Sequence, residues 1–132
     1  MMNKLGTMAL GLALTMVALT AIACSKGNST PTKAFKTYYN SLKNKDVKGL
    51  KTIMKKKDLE EIEAEAKKKN KSLDDFIRDE VIEQVSRKIP AEMPETRNEK
   101  IDGDNATLEV KDGDNWRPAK FVKEDDGWKI DM

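Results

Sequence analysis

Hydrophobic residues recur at two different spacings along this chain, and the change of spacing divides it into a helical part and a sheet part. Between residues 31 and 89, apolar side chains return every three or four positions, as in amphipathic helices. From residue 97 onward they alternate with polar side chains, and turns rich in Asp and Gly separate the runs. The pattern predicts an α+β fold in which N-terminal helices pack on a four-stranded antiparallel meander.

Four helices are predicted from their start signals. Thr30 precedes a proline and can cap the first helix, and Asp46 can cap a shorter second one. Capping-box patterns that begin at Asp58 and Ser72 predict the starts of the third and fourth helices. The buried face of the fourth helix is expected to comprise Leu73, Phe76, Ile77, Val81 and Val85.

The alternating part predicts strands over residues 97–101, 106–111, 116–123 and 128–132. In the third strand we expect Phe121 to lie in the core and Trp116 to be partly exposed. Pro118 removes a backbone donor from the same strand, which favours an edge position or a bulge. In the last strand, one face is expected to carry Trp128, Ile130 and Met132.

The sequence Asp-Gly-Asp-Asn occurs twice, at residues 102–105 and 112–115, and admits two interpretations. Oxygen donors beside a glycine suggest a calcium loop, but neither copy continues with the distant glutamate that an EF-hand needs. Asp and Gly are also the residues that tight hairpin turns require. We therefore expect two hairpin turns here, and no metal site.

The start of the chain has the layout of a bacterial lipoprotein signal peptide. Lys4 supplies a positive charge, and residues 5–20 are uncharged and mostly apolar. Ala21-Ile22-Ala23-Cys24 then resembles a lipobox, whose cysteine receives the lipid. The alternative is an uncleaved membrane-spanning helix over residues 5–23, which is near the minimum length for a span.

The lipobox interpretation sets the domain boundaries. Residues 1–23 form the signal peptide, residues 24–30 comprise the lipidated Cys24 and a polar, flexible tether, and residues 31–132 form a single α+β domain. We expect an exported protein anchored through Cys24 at the cell membrane or outer membrane, with its domain facing the periplasm or the cell exterior. Because Cys24 is the only cysteine, this domain is expected to fold without a disulfide.

Composition limits the chemistry that the domain can use. Charged residues make up 36% of the chain and aromatics only 5%, so the core is expected to be thin and mostly aliphatic. There is no histidine, which removes the commonest general base at neutral pH. The lysines of residues 55–57 and 67–71 could contact anionic headgroups or wall polymers, or simply form a solvated face. We expect no nucleic-acid partner, since no aromatic residues lie among these lysines.

A family resemblance rests on residues 31–39, 50–54, 96–110 and 118–130. These stretches resemble a family of small bacterial lipoproteins of unknown function, placed in the nuclear-transport-factor-2-like (cystatin-like) superfamily. The resemblance implies helices packed into a curved antiparallel sheet that forms a cone. The superfamily usually has a strand pair after its early helices, whereas residues 55–71 are predicted to be helical here. The cone is therefore expected to be truncated and shallow.

The expected function is that of a non-catalytic accessory or binding module at the cell envelope, contacting a protein or a small apolar molecule. An apolar cleft would be lined by Tyr39, Phe76, Phe121 and Trp128, whose alternative role is plain core packing. The competing hypothesis is a small-molecule enzyme that uses an Asp in the cone together with Tyr38 or Tyr39. No catalytic residue, metal or cofactor is assigned by any motif in the chain.

Overall fold

The computed structural model of this chain describes residues 28–132. Cys24, the signal peptide and the first part of the predicted tether lie outside the described residues. Within them the α+β prediction is confirmed, because helices come first and an antiparallel sheet follows. The helices are α1 (Pro31–Asn44), α2 (Val47–Thr52), α3 (Lys56–Lys68), α4 (Leu73–Phe76), a π-helical segment (Ile77–Ile82) and α5 (Glu83–Ser86).

Three of the four predicted helix starts are confirmed. The Thr30 hydroxyl accepts the Lys33 N–H at the start of α1. Asp46 accepts the Gly49 N–H at the start of α2, and Ser72 accepts the Asp75 N–H at the start of α4. Each polar side chain thus satisfies a backbone donor that has no partner within its helix.

The predicted start of α3 is wrong by three residues, since the N-cap is Lys55 and not Asp58. The helix begins at Lys56, so Asp58 lies inside its first turn and does not cap it. The Lys56 N–H donates instead to a carboxylate oxygen of Glu124, at 3.2 Å. A partner from the sheet therefore replaces the local cap, and a local sequence pattern carries no information about such a partner.

The helical register changes within the π-helical segment, which runs without a break from α4 into α5. A π-helical turn brings residues i and i+5 onto the same face. Ile77 and Ile82 are accordingly both fully buried, whereas Val81 and Val85 are only half-buried. The predicted face, drawn with a regular α-helical period, was therefore wrong in omitting Ile82.

The sheet is the predicted four-stranded meander, with neighbouring strands antiparallel in the order of the chain. Phe121 is buried in the core and Trp116 is half-buried, as expected. The last strand is short and pairs with β3 only from Phe121 onward, so the edge of β3 beside Pro118 is unpaired. The backbone donor that Pro118 lacks is therefore not needed there, in accord with the prediction. The strands are β1 (Thr96–Asp102), β2 (Asn105–Asp112), β3 (Asn115–Glu124) and β4 (Gly127–Ile130).

Both Asp-Gly-Asp-Asn sequences form two-residue hairpin turns, as predicted. Asp102 pairs with Asn105, and Asp112 pairs with Asn115, across the two turns. Gly103 and Gly113 take the first turn position, with φ of +61° and +63°. A glycine with positive φ at that position is what a type II′ turn requires.

The core lies between the helices and one face of the sheet. Helix α1 crosses that face and contacts β1, β2 and β4. The core is aliphatic for the most part, as the composition indicated, with two large aromatic side chains at the sheet. Its central members are Leu42, Leu50, Ile53, Ile77, Ile82, Leu108, Phe121 and Trp128. The opposite face of the sheet carries mostly polar and charged side chains.

The outer edge of β4 is covered by two other segments of the chain. The Trp128 N–H donates to the Asn28 carbonyl, and the Ile130 N–H donates to the Ile53 carbonyl, both at 2.9 Å. Met54 and Ile130 form a parallel bridge beside these bonds. Asn28 falls within the predicted flexible tether, yet it is only 4% exposed. The packed part of the chain therefore begins before residue 31, and the flexible assignment is wrong for Asn28.

The contact between Asn28 and Gly127 predicts a difference between two glycine substitutions. A Cβ at Gly127 would lie 2.8 Å from the Asn28 carbonyl oxygen, whereas a Cβ at Gly113 would meet no atom within 4 Å. We expect Gly113→Ala to cost about 1–2 kcal/mol from its positive φ alone. Gly127→Ala should cost about 1–3 kcal/mol more, because Asn28 must move. Urea unfolding of both variants measures the difference, and equal losses would contradict the contact.

Candidate functional site

The four side chains predicted to line an apolar cleft do not meet at one. Tyr39, Phe121 and Trp128 are buried, the last two within the main core. Phe76 is half-buried at the junction of α3 and α4, with the Lys69 ammonium 5.4 Å from its ring centre. The structure therefore places three of them in packing roles, which was their alternative interpretation.

A small apolar cavity does lie between the helices and β4, but none of the four predicted cleft residues lines it. Its volume is about 30 Å³, which is roughly the space that one water molecule occupies in the liquid. Ligand pockets usually have volumes of about 300–1,000 Å³. Its walls include Tyr38, Leu50, Ile53, Met54, Val85 and Met132. The interior is therefore filled, and a small apolar ligand would need the side chains to rearrange.

The two adjacent tyrosines differ in their surroundings. The Tyr39 hydroxyl donates to the Pro90 carbonyl at 2.6 Å, which ties α1 to the segment between the helices and the sheet. Burial, and then the charge of Glu92, raise the pKa of Tyr39 above its ordinary value. Burial also raises the pKa of Tyr38. Among residues 28–132 no carboxylate hydrogen-bonds to either hydroxyl, so the Asp–Tyr pair of the competing hypothesis is not hydrogen-bonded there.

The two groups of lysines are in different electrostatic states. Lys67 and Lys68 pair with Glu63 and Glu65 on α3 itself. Lys69 and Lys71 pair with acidic residues of the π-helical segment, at 3.3–3.6 Å. The ammonium groups of Lys56 and Lys57, in contrast, have no carboxylate within 4 Å in the described part of the chain. The lysines therefore do not form a continuous unpaired basic surface, because Lys55 and the later lysines each lie within 4 Å of a carboxylate.

An open groove of about 570 Å³ lies between the β3–β4 turn and the start of α3. We call it the tether-side groove. It is lined by Lys51, Met54, Lys56, Leu59, Glu124, Asp125, Asp126 and Lys129. Two apolar side chains are thus combined with three cations and three carboxylates. A groove of this size and balanced charge is suited to a small ligand that carries both signs of charge.

Lys129 is the unusual member of the tether-side groove, because its side chain is only 3% exposed. Its ammonium donates to the Thr52 carbonyl at 2.6 Å and to a carboxylate oxygen of Asp126 at 2.9 Å. The Asn28 amide donates to the same Thr52 carbonyl at 3.1 Å. A lysine has three N–H donors, so one is left after these two bonds. The sequence gives no sign of this role, since Lys129 alternates with apolar residues as a solvated strand residue would.

Lys55 fastens the start of α3 to the end of the sheet. Its ammonium lies 2.7 Å from Asp131 and 3.7 Å from Asp58. The hydrogen bond from Lys55 holds the pKa of Asp131 below its ordinary value, and the same bond raises the pKa of Lys55. This pair fixes α3 beside β4, close to the groove.

Comparison with known proteins adds nothing to these observations. We found no match to the chain among protein-family models, curated proteins or solved structures. Within residues 28–132, no cluster of three or more acidic, His or Cys side chains could hold a metal ion. In the same part of the chain, none of the helices combines the length and apolar character needed to cross a bilayer.

The hydrogen bond of Tyr39 predicts that the two tyrosines respond differently to loss of the hydroxyl. Tyr39→Phe should lower the free energy of unfolding by about 1–2 kcal/mol, because the Pro90 carbonyl loses its donor. Tyr38→Phe is the matched control, since the Tyr38 hydroxyl has no hydrogen-bond partner in the described residues, and it should be close to neutral. Chemical denaturation measures both, and a larger loss for Tyr38→Phe would contradict the assignment.

The Lys55–Asp131 pair predicts a pH dependence. Because the pKa of Asp131 is lowered by folding, its ionised form stabilises the fold above the ordinary carboxyl pKa. That stabilisation is lost as the pH falls through the lowered value. Asp131→Asn should therefore lower the urea midpoint at about pH 7, and the gap from the parent protein should narrow as the pH falls below the ordinary carboxyl pKa. Asp125→Asn is the control, and a gap that does not depend on pH would exclude this origin.

Proposed function

We propose that this chain is an exported bacterial lipoprotein, held at the envelope by the lipid on Cys24, whose domain is a non-catalytic accessory module. The order of features along the chain carries the proposal: a charged start, an uncharged apolar run, a lipobox, and then a packed domain. The short distance between the lipobox cysteine and the packed domain supports the proposal structurally. Only four residue steps separate Cys24 from the buried Asn28, so they span at most about 14 Å.

The filled interior favours a role in surface contacts over one in carrying a small apolar molecule. The cavity beside β4 is smaller by more than tenfold than a typical ligand pocket. The polar sheet face and the grooves at the domain surface are open to other molecules. An envelope protein or the membrane surface is therefore the partner class that we propose, and no cofactor is part of the proposal.

The finer fold assignment also belongs to this proposal. We infer a nuclear-transport-factor-2-like domain with a truncated cone. The early helices before a four-stranded antiparallel meander support it. Helix α3 occupies the part of the chain where the superfamily usually has a strand pair, which supports the truncation.

Substitution of Cys24 tests the anchor. Cys24→Ala should leave the signal peptide uncleaved and remove the acyl chains, because the cysteine is both the recognised residue and the lipid attachment point. Mass spectrometry of the purified protein measures both effects directly. Ser25→Ala, one residue further on, is the matched control and should be processed and acylated normally. Unchanged mass and membrane fractionation in Cys24→Ala would contradict the proposed function.

A further inference from the structure

We propose that the tether-side groove receives zwitterionic phospholipid headgroups, and that the domain therefore stands with the β3–β4 turn against the bilayer. The partner is the membrane surface in which the protein is anchored, recognised through a headgroup that carries a phosphate and an ammonium. The inference rests on the proposed anchor at Cys24 and adds to it a defined orientation and a lipid class.

The position of Asn28 places the groove next to the membrane. Asn28 contacts Gly127 and Thr52, and Thr52 in turn holds the Lys129 ammonium in the groove wall. Asn28 is the first residue that the structure describes, and only four residue steps separate it from Cys24. These steps span at most about 14 Å, which keeps Asn28 and its end of the domain near the headgroups.

The meander gives the domain two distinguishable ends. Successive hairpin turns of a meander lie at opposite ends of the sheet, so the β1–β2 and β3–β4 turns share the end where the tether leaves. The β2–β3 turn lies at the other end. The eight residues of β2 separate the two ends by about 26 Å at 3.3 Å per residue. A membrane at the tether end is therefore far from Asp114 in the β2–β3 turn.

The charges of the groove fit a ligand that carries both signs. Lys56 can contact a phosphate, because its ammonium has no carboxylate within 4 Å among residues 28–132. Lys129, only 3% exposed, holds the groove wall in place through its two hydrogen bonds. Asp125 forms no ion pair in the same part of the chain and can accept an ammonium. A headgroup with only a phosphate would leave Asp125 without a positive partner, so an anionic lipid fits less well.

The apolar floor and the volume of the tether-side groove also suit a phospholipid headgroup. Met54 and Leu59 provide apolar surface against which the methylene groups of a headgroup can pack. The volume of about 570 Å³ lies within the usual range of ligand sites. Because Lys129 is buried and hydrogen-bonded on two sides, this wall is already formed before a ligand arrives.

The two identical turns allow a matched test of orientation. Asp104→Cys and Asp114→Cys change the same position of each Asp-Gly-Asp-Asn turn, at the near and the far end of the sheet. In the acylated protein the Cys24 thiol is consumed by its lipid, so each variant offers a single thiol for a fluorophore. The labelled proteins are reconstituted into phosphatidylcholine vesicles that contain a lipid with a quencher on its headgroup.

We expect severalfold stronger quenching of the dye at position 104 than of the dye at position 114. Equal quenching, or stronger quenching at position 114, would overturn the orientation while leaving the anchor intact. Sedimentation with the vesicles reports on the anchor separately. If the protein does not sediment with the vesicles, the proposed anchor is wrong, and the proposed orientation is rejected with it.

Two charge reversals test whether the groove holds the headgroup. Lys56→Glu should reduce the difference between the two dyes severalfold, because a cation of the groove becomes a carboxylate and only the tether is left to hold the near end. Lys57→Glu is the matched control: it is the next residue in the same helical turn, it does not line the groove, and it should preserve the difference. A difference that Lys56→Glu leaves unchanged would show that the tether alone orients the domain, and it would overturn the binding of a headgroup in the groove. Equal losses in both variants, or a larger difference on phosphatidylglycerol vesicles, would indicate general attraction of lysines to anionic lipid; either result overturns the proposal.

Discussion

The short last strand depends on partners at both of its edges, and the two partners join the separate parts of the fold. β4 has only four residues, and its inner edge pairs with β3. Its outer N–H groups are satisfied by Asn28 and Ile53, which come from the N-terminal segment and from the end of α2. An uncovered edge would leave these donors open to pairing with other chains. Closing it fixes Asn28, the helices and the sheet relative to one another.

This arrangement explains how a domain with few aromatic residues keeps one defined fold. Leu, Ile and a few large side chains form one core, and ion pairs connect the elements around it. α3 is the least buried of the longer helices, with only Ala66 fully enclosed, and Lys55 with Asp131 holds its start. Exposed pairs contribute little individually, so the position of α3 depends on several of them together.

The sequence predicted those features that depend on neighbours along the chain. The caps at Thr30 and Ser72 and the glycine turns were correct, because capping and turn chemistry act within a few residues. The burial of Asn28 and Lys129 was not predictable, since both meet the Thr52 carbonyl, which is distant in sequence. The predicted cleft residues are all aromatic, a property that indicates burial and carries no information on whether space remains beside them.

Asn28 covers part of the outer edge of β4, and amide hydrogen exchange of the acylated protein tests this contact most directly. The N–H groups of Trp128 and Ile130 point to the same outer edge and should both exchange slowly, because each has a carbonyl partner. Slow exchange at both positions is the predicted result. Fast exchange at Trp128 beside slow exchange at Ile130 would show that Ile53 covers the edge alone and that the tether is free of the domain.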